Sequence, residues 1–247
     1  MIPKKIHFCW FSNSPYSEKV ARCMESWKRI LGDYEIVHWD YQKATATGIP
    51  WVIEALGQKN WAFASDAVRL YALYNEGGIY LDADVEVLRP FDDLLDRPYI
   101  FGYENGSKRI EAAVMGCEPG NAIIKEALSY YLGKHFEYRE DRVDNMVLPY
   151  VLAQAVDKFS GVTIMPEWVF SPKSFIDGSI STADETYCIH HFHSDWRPEA
   201  VRKGINRRQY LFSKFPRPIA QLLALPLSLW TNLTTLGLGG TIKKIFR

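Results

Sequence analysis

Two aspartates, Asp82 and Asp84, follow a short apolar run and are the residues of this chain best suited to chemistry. The run at 79–81 is typical of a strand buried on both faces. In an extended chain, side chains at i and i+2 point the same way, so both carboxylates are expected at one spot beyond this strand. Open α/β sheets bind their ligands at that edge. Paired carboxylates favour a hard cation, Mn²⁺ or Mg²⁺, which keeps positions open for a diphosphate.

The segment before this strand has the apolar spacing of a helix. Residues 61–76 place apolar side chains on or near one face, and Gly77 is expected to end the helix. Asp66 and Arg69 lie one helical turn apart and can form an ion pair. On a surface such a pair contributes only about 0–1 kcal/mol. Because Asp66 lies inside an apolar stretch, the sequence predicts a paired, partly buried site instead.

The order of these motifs is similar to that of a known family. Residues 61–70, WAFASDAVRL, and residues 77–84, GGIYLDAD, resemble the DXD sugar-binding region of glycosyltransferase family thirty-two. This family includes capsular-polysaccharide transferases, initiating mannosyltransferases and relatives of the large glucosylating toxins. The resemblance also covers residues 2–11 and the segment near residue 190, so it spans roughly residues 2–196. It implies a GT-A type nucleotide-diphospho-sugar transferase fold.

The remaining pattern along the chain alternates between strands and helices. Strands are predicted at 5–10, 34–39, 79–82, 99–103, 112–116, 162–165 and 187–192, and helices at 17–31, 50–58, 61–76, 121–132 and 144–158. Such alternation predicts an α/β fold with a mostly parallel central sheet flanked by helices. A chain of 247 residues, 47% of them hydrophobic, can bury one good core. We expect a catalytic domain at 1–200 and a basic, amphipathic extension at 201–247.

The family resemblance gives roles to residues around the paired aspartates. It implies that Asp84 binds the metal directly, and that Asp82 lies near the ribose and donor sugar or contacts the ion through water. Asp66 and Arg69 are expected to contact donor-sugar hydroxyls, and Arg69 can also assist the phosphate, so it joins the two aspartates as a catalytic candidate. Trp10 is expected to stack on the nucleobase, a contact worth about 1–3 kcal/mol. A core aromatic residue is the alternative for Trp10.

A histidine-rich segment at 189–196 offers further ligands. The resemblance implies that His191 binds the metal, that Ser194 binds the metal or donates to phosphate, and that the indole N–H of Trp196 donates to phosphate. In a strand, His190 would point away from the face of His191. No HExxH motif or cysteine partner supports a zinc site here. The alternative is a polar strand end with a buried aromatic anchor.

Asp144 and Asn145 are predicted to open a helix, where an aspartate is usually an N-cap. In sugar transferases of this shape a polar residue from this region often lies beneath the donor sugar. Both residues are therefore candidate donor contacts as well as capping residues.

Charge is unevenly distributed along the chain. Residues 197–247 contain ten Lys or Arg and one acidic residue, a net of +9, whereas the first 196 residues carry a net of −9. The basic segment encloses an uncharged stretch at 218–242, in which leucines repeat at helical spacing and Pro226 would interrupt a continuous helix. Three hypotheses follow: packing against the core or a partner, an amphipathic helix in the membrane interface, or a poor membrane span. No nucleic-acid-binding motif accompanies the basic residues, so nucleic acid is not an expected partner.

The cysteines and the N-terminus bear on localisation. Cysteines occur at positions 9, 23, 117 and 188 without CxxC spacing, which is typical of reduced thiols in a cytosolic protein. The strand pattern starts at the N-terminus, so no signal peptide is expected. We expect a cytoplasmic protein, peripheral on the inner face of the plasma membrane if its C-terminal extension binds lipid.

Together these features predict a metal-dependent, retaining glycosyltransferase that uses a nucleotide-diphospho-sugar, with UDP favoured over GDP-mannose. The acceptor is expected to be a glycan or a lipid-linked molecule in surface or capsular polysaccharide synthesis. No carboxylate nucleophile for a two-step mechanism is evident, so same-face displacement is the working hypothesis. One alternative is a phosphatase of the haloacid-dehalogenase type with Asp82 as nucleophile, although that motif normally follows the first strand. Another is a non-catalytic, sugar-nucleotide-binding scaffold protein.

Overall fold

A computed structural model describes residues 1–107, 109–139, 145–174, 176–192 and 199–224 of the chain. The strands are β1 (Lys5–Cys9), β2 (Glu35–Trp39), β3 (Gly78–Leu81), β4 (Val85–Val87), β5 (Tyr99–Ile100), β6 (Val114–Cys117) and β7 (Cys188–His190). The α-helices are α1 (Glu18–Ile30), α2 (Tyr41–Thr45), α3 (Pro50–Gly57), α4 (Trp61–Glu76), α5 (Ala122–Ser129), α6 (Leu148–Val156), α7 (Glu167–Phe170) and α8 (Glu199–Lys214). Residues 217–224 are also helical.

The central sheet has five strands in the order β2-β1-β3-β6-β5. Strand β1 pairs in parallel with β2 and β3, whereas β6 pairs in antiparallel fashion with β3 and β5. Four of these five strands therefore point the same way. A separate antiparallel pair joins β4 to β7. The predicted α/β class with a mostly parallel central sheet is confirmed.

Apolar side chains cover both faces of this sheet, and β3 lies at its centre. Tyr80 packs on one face among residues of α3, α4, α5 and α6, whereas Ile79 and Leu81 pack on the other among residues of α1, β4 and β7. Every residue of β3 is buried. The predicted strand with two buried faces is confirmed, because adjacent side chains enter different halves of the core.

The junction between α4 and β3 depends on two glycines. Gly77 ends α4 with φ of 64°, and Gly78 begins β3 with φ of 97°. A Cβ atom on Gly77 would lie 2.6 Å from Cδ of Pro119, and one on Gly78 would lie 2.8 Å from the carbonyl oxygen of Lys5. Both positions require a left-handed backbone and leave no room for a side chain, so they favour glycine. The predicted helix end at Gly77 is confirmed.

Two predicted strands differ from the structure. Residues 162–165 contribute only an isolated parallel bridge between Gly102 and Met165, so the strand predicted there is wrong. Pro166 follows directly and is the N-cap of α7. Because proline has no N–H to donate to a neighbouring strand, the chain leaves the sheet after the bridge at Met165. The strand predicted at 187–192 ends at His190, since Phe192 has a left-handed φ of 52°.

Helix α6 begins later than the sequence predicts. Its N-cap is Val147 and Pro149 lies in its first turn, so α6 starts at Leu148 and not at the predicted position near Asn145. Pro149 explains the shift, because proline fits the first turn of a helix but disrupts its interior. Asp144 lies outside the described residues.

The C-terminal part of the described chain is helical. Helix α8 begins at Glu199, close to the predicted boundary between residues 200 and 201, and the division into two domains stays a prediction. Among the described residues, no helix has both the length and the apolar character needed to cross a membrane.

Candidate active site

Asp82 and Asp84 lie in the turn that connects β3 to β4. The backbone N–H of Val85 donates to the carbonyl oxygen of Asp82 at 3.0 Å, which closes the turn. The predicted extended geometry at this motif is therefore wrong, but the predicted convergence of the carboxylates is present. Ligand atoms of Asp82, Asp84 and His190 all lie within 4.8 Å of one another, and the three side chains are half-buried. We call these three residues the DXD–His cluster.

His190 reaches this cluster because β4 and β7 pair directly after the turn. Val85 lies opposite His190 in the antiparallel ladder, and the backbone N–H of His191 donates to the carbonyl oxygen of Asp84 at 3.1 Å. Nε2 of His190 consequently lies 3.6 Å from Oδ1 of Asp84. The carboxyl end of β3 and the end of β7 thus form one site.

A buried glutamate, Glu111, contacts the ring nitrogen of His190 that does not face Asp84. Its Oε2 atom lies 3.1 Å from Nδ1 of His190, and its Oε1 atom accepts the backbone N–H of Ala113 at 2.8 Å. Burial alone would raise the pKa of Glu111, but His190 lowers it to about 2. Burial alone would lower the pKa of His190, but Glu111 and Asp84 raise it to about 10. The ionised carboxylate can only accept, so Nδ1 donates to it and Nε2 faces Asp84.

His191, the predicted metal ligand, lies in a different environment. Its Nε2 atom is 2.9 Å from Oε2 of Glu86, and both side chains are partly exposed. The structure therefore brings His190, not His191, to the two aspartates, and a ligand role for His191 stays a prediction. Ser194 and Trp196, the other residues predicted from this segment, lie outside the described residues.

The guanidinium of Arg69 lies behind the DXD turn and is almost fully buried. Its Nη2 atom is 3.3 Å from Oδ1 of Asp66 and 3.2 Å from Oδ1 of Asp82, and Nη1 donates to the carbonyl oxygen of Ala112 at 2.7 Å. Burial alone would lower the pKa of Arg69, but these carboxylates, Asp82 foremost, raise it above its usual value. Arg69 therefore keeps a fixed positive charge next to the cluster.

Asp82 is the carboxylate that connects Arg69 to the cluster. Oδ1 of Asp82 also accepts the hydroxyl of Tyr80 at 3.0 Å, and the ring of Tyr80 lies 4.4 Å from the Arg69 guanidinium. Burial raises the pKa of Asp82, Arg69 opposes this shift and the nearby Asp84 adds to it. A cation between the two aspartates would relieve their mutual repulsion.

Asp66 forms the predicted buried pair with Arg69 and has a second structural contact. Its Oδ2 atom accepts the backbone N–H of Leu148 at 3.1 Å, so the carboxylate satisfies the first turn of α6. Burial raises the pKa of Asp66 to about 6, although Arg69 opposes the shift. Since both oxygens have protein partners, contact of Asp66 with a donor sugar stays a prediction.

Trp10 and Asn145, two further residues predicted to contact the donor, form hydrogen bonds with other parts of the protein. Trp10 directly follows β1, the parallel neighbour of β3, so it lies at the same sheet edge as Asp82. Its indole N–H donates to the carbonyl oxygen of Ser14 at 3.1 Å. Asn145 is exposed, and its carbonyl oxygen accepts the hydroxyl of Tyr130 at 3.3 Å. Their donor-binding roles stay predictions.

Sequence reasoning missed Glu111 and Lys173. Glu111 is a single acidic residue within the apolar segment 110–116, just as Asp66 is an acidic residue within an apolar stretch. That pattern could have indicated a buried, paired carboxylate at Glu111 as well. Lys173 donates through Nζ to the carbonyl oxygen of His191 at 2.7 Å, and burial lowers its pKa. No local pattern marks Lys173, because only the tertiary fold brings it next to the end of β7.

The donor atoms of the DXD–His cluster fit a divalent cation. Carboxylate oxygens suit Mg²⁺ and Mn²⁺, and an imidazole nitrogen is a ligand for transition metals. Mn²⁺ therefore fits the combined set better than Mg²⁺. Because the neighbouring carboxylates raise the pKa of His190, a bound cation would have to displace the proton from Nε2. The imidazole also has the carboxylate partner, Glu111, that commonly orients a metal-binding histidine.

Comparison with known proteins agrees with this geometry. Residues 17–101 match the model of the family described as "Glycosyltransferase sugar-binding region containing DXD motif", and this range includes Asp66, Arg69 and both aspartates of the cluster. Residues 17–101 are thus similar to a glycosyltransferase sugar-binding region.

Two curated relatives resemble the chain over part of their length. Inositol phosphoceramide mannosyltransferase 3 of Schizosaccharomyces pombe is 31% identical over 145 residues, which cover 56% of this chain and 40% of the relative. Glucan organizing enzyme 1 of Cryptococcus neoformans is 45% identical over 78 residues, which cover 32% of this chain and 21% of the relative. The chain thus spans less than half the length of either relative.

Among solved structures, the PaToxG glycosyltransferase is similar with a TM-score of 0.49 and 21% identity. The likeness covers 64% of this chain and 68% of that one.

Proposed function

We propose that this protein is a metal-dependent, retaining glycosyltransferase of the GT-A type, related to family thirty-two, that uses a nucleotide-diphospho-sugar. The observation that carries the proposal is the DXD–His cluster at the carboxyl end of β3, with the buried cation Arg69 directly behind it. The two carboxylates and the imidazole can hold a divalent cation, and that cation, next to the fixed guanidinium, would provide the positive charge that a leaving diphosphate requires.

The residues of the site divide this task. A Mn²⁺ or Mg²⁺ ion held by Asp84, Asp82 and His190 would neutralise charge on the diphosphate as a Lewis acid. Glu111 orients the imidazole of His190, and the Tyr80 hydroxyl and Arg69 orient the Asp82 carboxylate. Because these contacts are buried, the carboxylates are positioned before a donor binds, which lowers the cost of reorganisation.

The donor and acceptor follow from resemblance rather than from pocket contacts. By family analogy a UDP-sugar is the favoured donor and GDP-mannose the second choice, and the likeness to a protein named as a mannosyltransferase agrees with mannose as a candidate sugar. We propose a glycan or lipid-linked acceptor, with a role in surface or capsular polysaccharide synthesis. Retention would proceed by same-face displacement, in which the leaving phosphate helps to deprotonate the acceptor. Trapping of a covalent glycosyl-enzyme at an Asp or Glu would contradict that mechanism.

The test is thermal stability against UDP-, GDP- and CMP-sugars, with and without Mn²⁺, for wild type, Asp84→Ala and Asp96→Ala. Asp96 is exposed and lies apart from the cluster in the chain, so it controls for removal of a carboxylate. We expect a metal-dependent upward shift with one nucleotide, present in Asp96→Ala and absent in Asp84→Ala. Hydrolysis or transfer of that sugar would then establish turnover.

Other outcomes favour the alternatives. No shift with any nucleotide, together with hydrolysis of simple phosphate esters that requires Asp82, would indicate a phosphatase. A shift without turnover on any acceptor would indicate a binding scaffold.

A further inference from the structure

The last described part of the chain, residues 199–224, presents a surface that is both basic and apolar. It contains six Lys or Arg and one acidic residue, Glu199. We propose that the exposed face of this segment docks on an anionic lipid surface. This goes beyond sugar transfer and does not depend on it, because lipid contact can be measured without donor or metal.

Helix α8 provides the charged part of this surface. Lys203, Arg207, Tyr210 and Lys214 follow one another at i, i+4, i+7 and i+11, so they share one face of the helix. All four are exposed, and Tyr210 is 60% exposed. Lys203 forms an ion pair with Glu199 at 2.7 Å, whereas Arg207 and Lys214 have no acidic residue one turn away on α8. The face carries net positive charge and an amphipathic aromatic ring suited to the head-group region.

Residues 217–224 provide the apolar part. Ile219, Leu222 and Leu223 are spaced i, i+3 and i+4 on one side of this helical segment and are 49%, 68% and 42% exposed. Ala220 and Ala224, which lie on another side, are buried. The side that packs on protein is therefore built from alanine, and the large aliphatic side chains face outward.

Helix α8 packs on the loop between α7 and β7. The side chain of Gln209 packs against Gly178, where an added Cβ would lie 3.0 Å from its Cδ atom. Gly178 belongs to the same loop region as Lys173, which contacts the backbone of His191 beside the DXD–His cluster. Gln209 lies on a different side of α8 from Lys203, Arg207, Tyr210 and Lys214, so lipid on the exposed face would lie across the helix from this loop.

Charge and apolarity together favour lipid over other partners. A soluble polyanion would need the basic residues only, and a second copy of this surface would bring like charges together. An anionic membrane interface uses both properties, since head groups attract Lys and Arg while aliphatic side chains enter the acyl boundary. The sequence beyond residue 224 has three charged residues, all basic, at Lys243, Lys244 and Arg247, which continues the same composition.

The experiment is co-sedimentation of the full chain with vesicles of phosphatidylcholine alone or mixed with phosphatidylglycerol. Three pairs of substitutions are compared with wild type: Arg207→Glu with Lys214→Glu, Ile219→Gln with Leu222→Gln, and, as a control, Lys59→Glu with Ile53→Gln. Lys59 and Ile53 are exposed on another part of the molecule. We expect wild type and control to bind the anionic vesicles only, and each α8 or 217–224 variant to partition about tenfold or more weakly.

Circular dichroism and thermal unfolding show whether each variant is folded, and all substituted positions are exposed. Three results would overturn the proposal: no binding of wild type to anionic vesicles, binding by both face variants that equals that of wild type, or binding to single-stranded RNA that only the charge reversal weakens. Disruption of a solution dimer by the apolar substitutions, without vesicle binding, would instead identify a second copy as the occupant. Donor binding by the same variants separates failure of this proposal from failure of the transferase proposal.

Discussion

The imidazole of His190 lies between Asp84 of the DXD turn and the buried carboxylate of Glu111. Substitution of His190 and of His191 in turn tests directly which histidine binds the metal. We expect His190→Ala to weaken Mn²⁺ binding by at least about tenfold, because it removes one of three converging ligands. His191→Ala should leave Mn²⁺ affinity within about twofold of wild type. Water proton relaxation by bound Mn²⁺ measures both, and the reverse ranking would restore His191 as the ligand.

Glu111 acts on the metal through His190 rather than by direct contact. Both oxygens of Glu111 accept hydrogen bonds, from Nδ1–H of His190 and from the backbone N–H of Ala113. The amide in Glu111→Gln has a single acceptor oxygen and cannot satisfy both, so the imidazole is held less firmly with Nε2 toward the aspartates. We expect Mn²⁺ affinity to fall about 10–100-fold. Glu104→Gln is the matched control, because Glu104 is a nearby partly buried carboxylate whose hydroxyl partner is Ser107. Equal affinities in the two variants, measured by calorimetric titration, would contradict a positioning role for Glu111.

At the residue scale, side-chain type and spacing predicted the two aspartates and the Asp66–Arg69 pair, because each is a local feature. They did not select His190. Alternation along a strand separates two neighbouring histidines but does not say which faces the site. That choice is set by the register of β4 against β7, in which Val85 lies opposite His190.

At the scale of elements, the α4–β3 junction fixes the start of the strand that leads to Asp82. Ala at position 78 would bring Cβ within 2.8 Å of the Lys5 carbonyl oxygen on the neighbouring strand, in a left-handed conformation. We expect Gly78→Ala to lower the free energy of unfolding by at least about 2 kcal/mol. Gly57→Ala, at the end of α3 with no atom near the new Cβ, should be neutral or stabilise by about 0.4–1 kcal/mol. Urea denaturation compares them, and similar midpoints for both variants would show that the junction tolerates a side chain.

The elements that the sequence predicted well are those with strong periodicity and a clear end. Helix α4 was predicted from Trp61 to Glu76, and its observed bounds are the same. The short strands β4 and β7 were missed or overextended, because three residues carry too little pattern to distinguish a strand from a loop. The start of α6 lies later than the N-cap preference of Asp predicts, because Pro149 fits only the first turn of a helix.

At the scale of the whole molecule, alternation of strands and helices predicted the α/β class but not the strand order. The reversal of β6 between β3 and β5 is a non-local pairing that no single segment encodes. The same holds for the position of Glu111, which reaches His190 only when the loop before β6 folds against the end of β7. The sequence therefore predicted where the site lies on the sheet, and the tertiary pairing determined which side chains complete it.

His7 connects three parts of the fold and should make the stability of the whole molecule depend on pH. It is fully buried in β1; its Nε2–H donates to the carbonyl oxygen of Gly77 at 2.8 Å, and its Nδ1 accepts the indole N–H of Trp39 at 3.1 Å. Burial lowers the pKa of His7 below its usual 6.5. The unfolded chain therefore binds this proton at a higher pH than the folded one, so the stabilisation is complete above about pH 6.5 and declines as the pH falls below it. We expect the advantage of wild type over His7→Gln in the free energy of unfolding to shrink between about pH 7.5 and about pH 5.5, because glutamine does not titrate. Urea denaturation at each pH measures this difference. A difference between wild type and His7→Gln that stays constant across this pH range would mean that His7 is protonated equally in the folded and unfolded states.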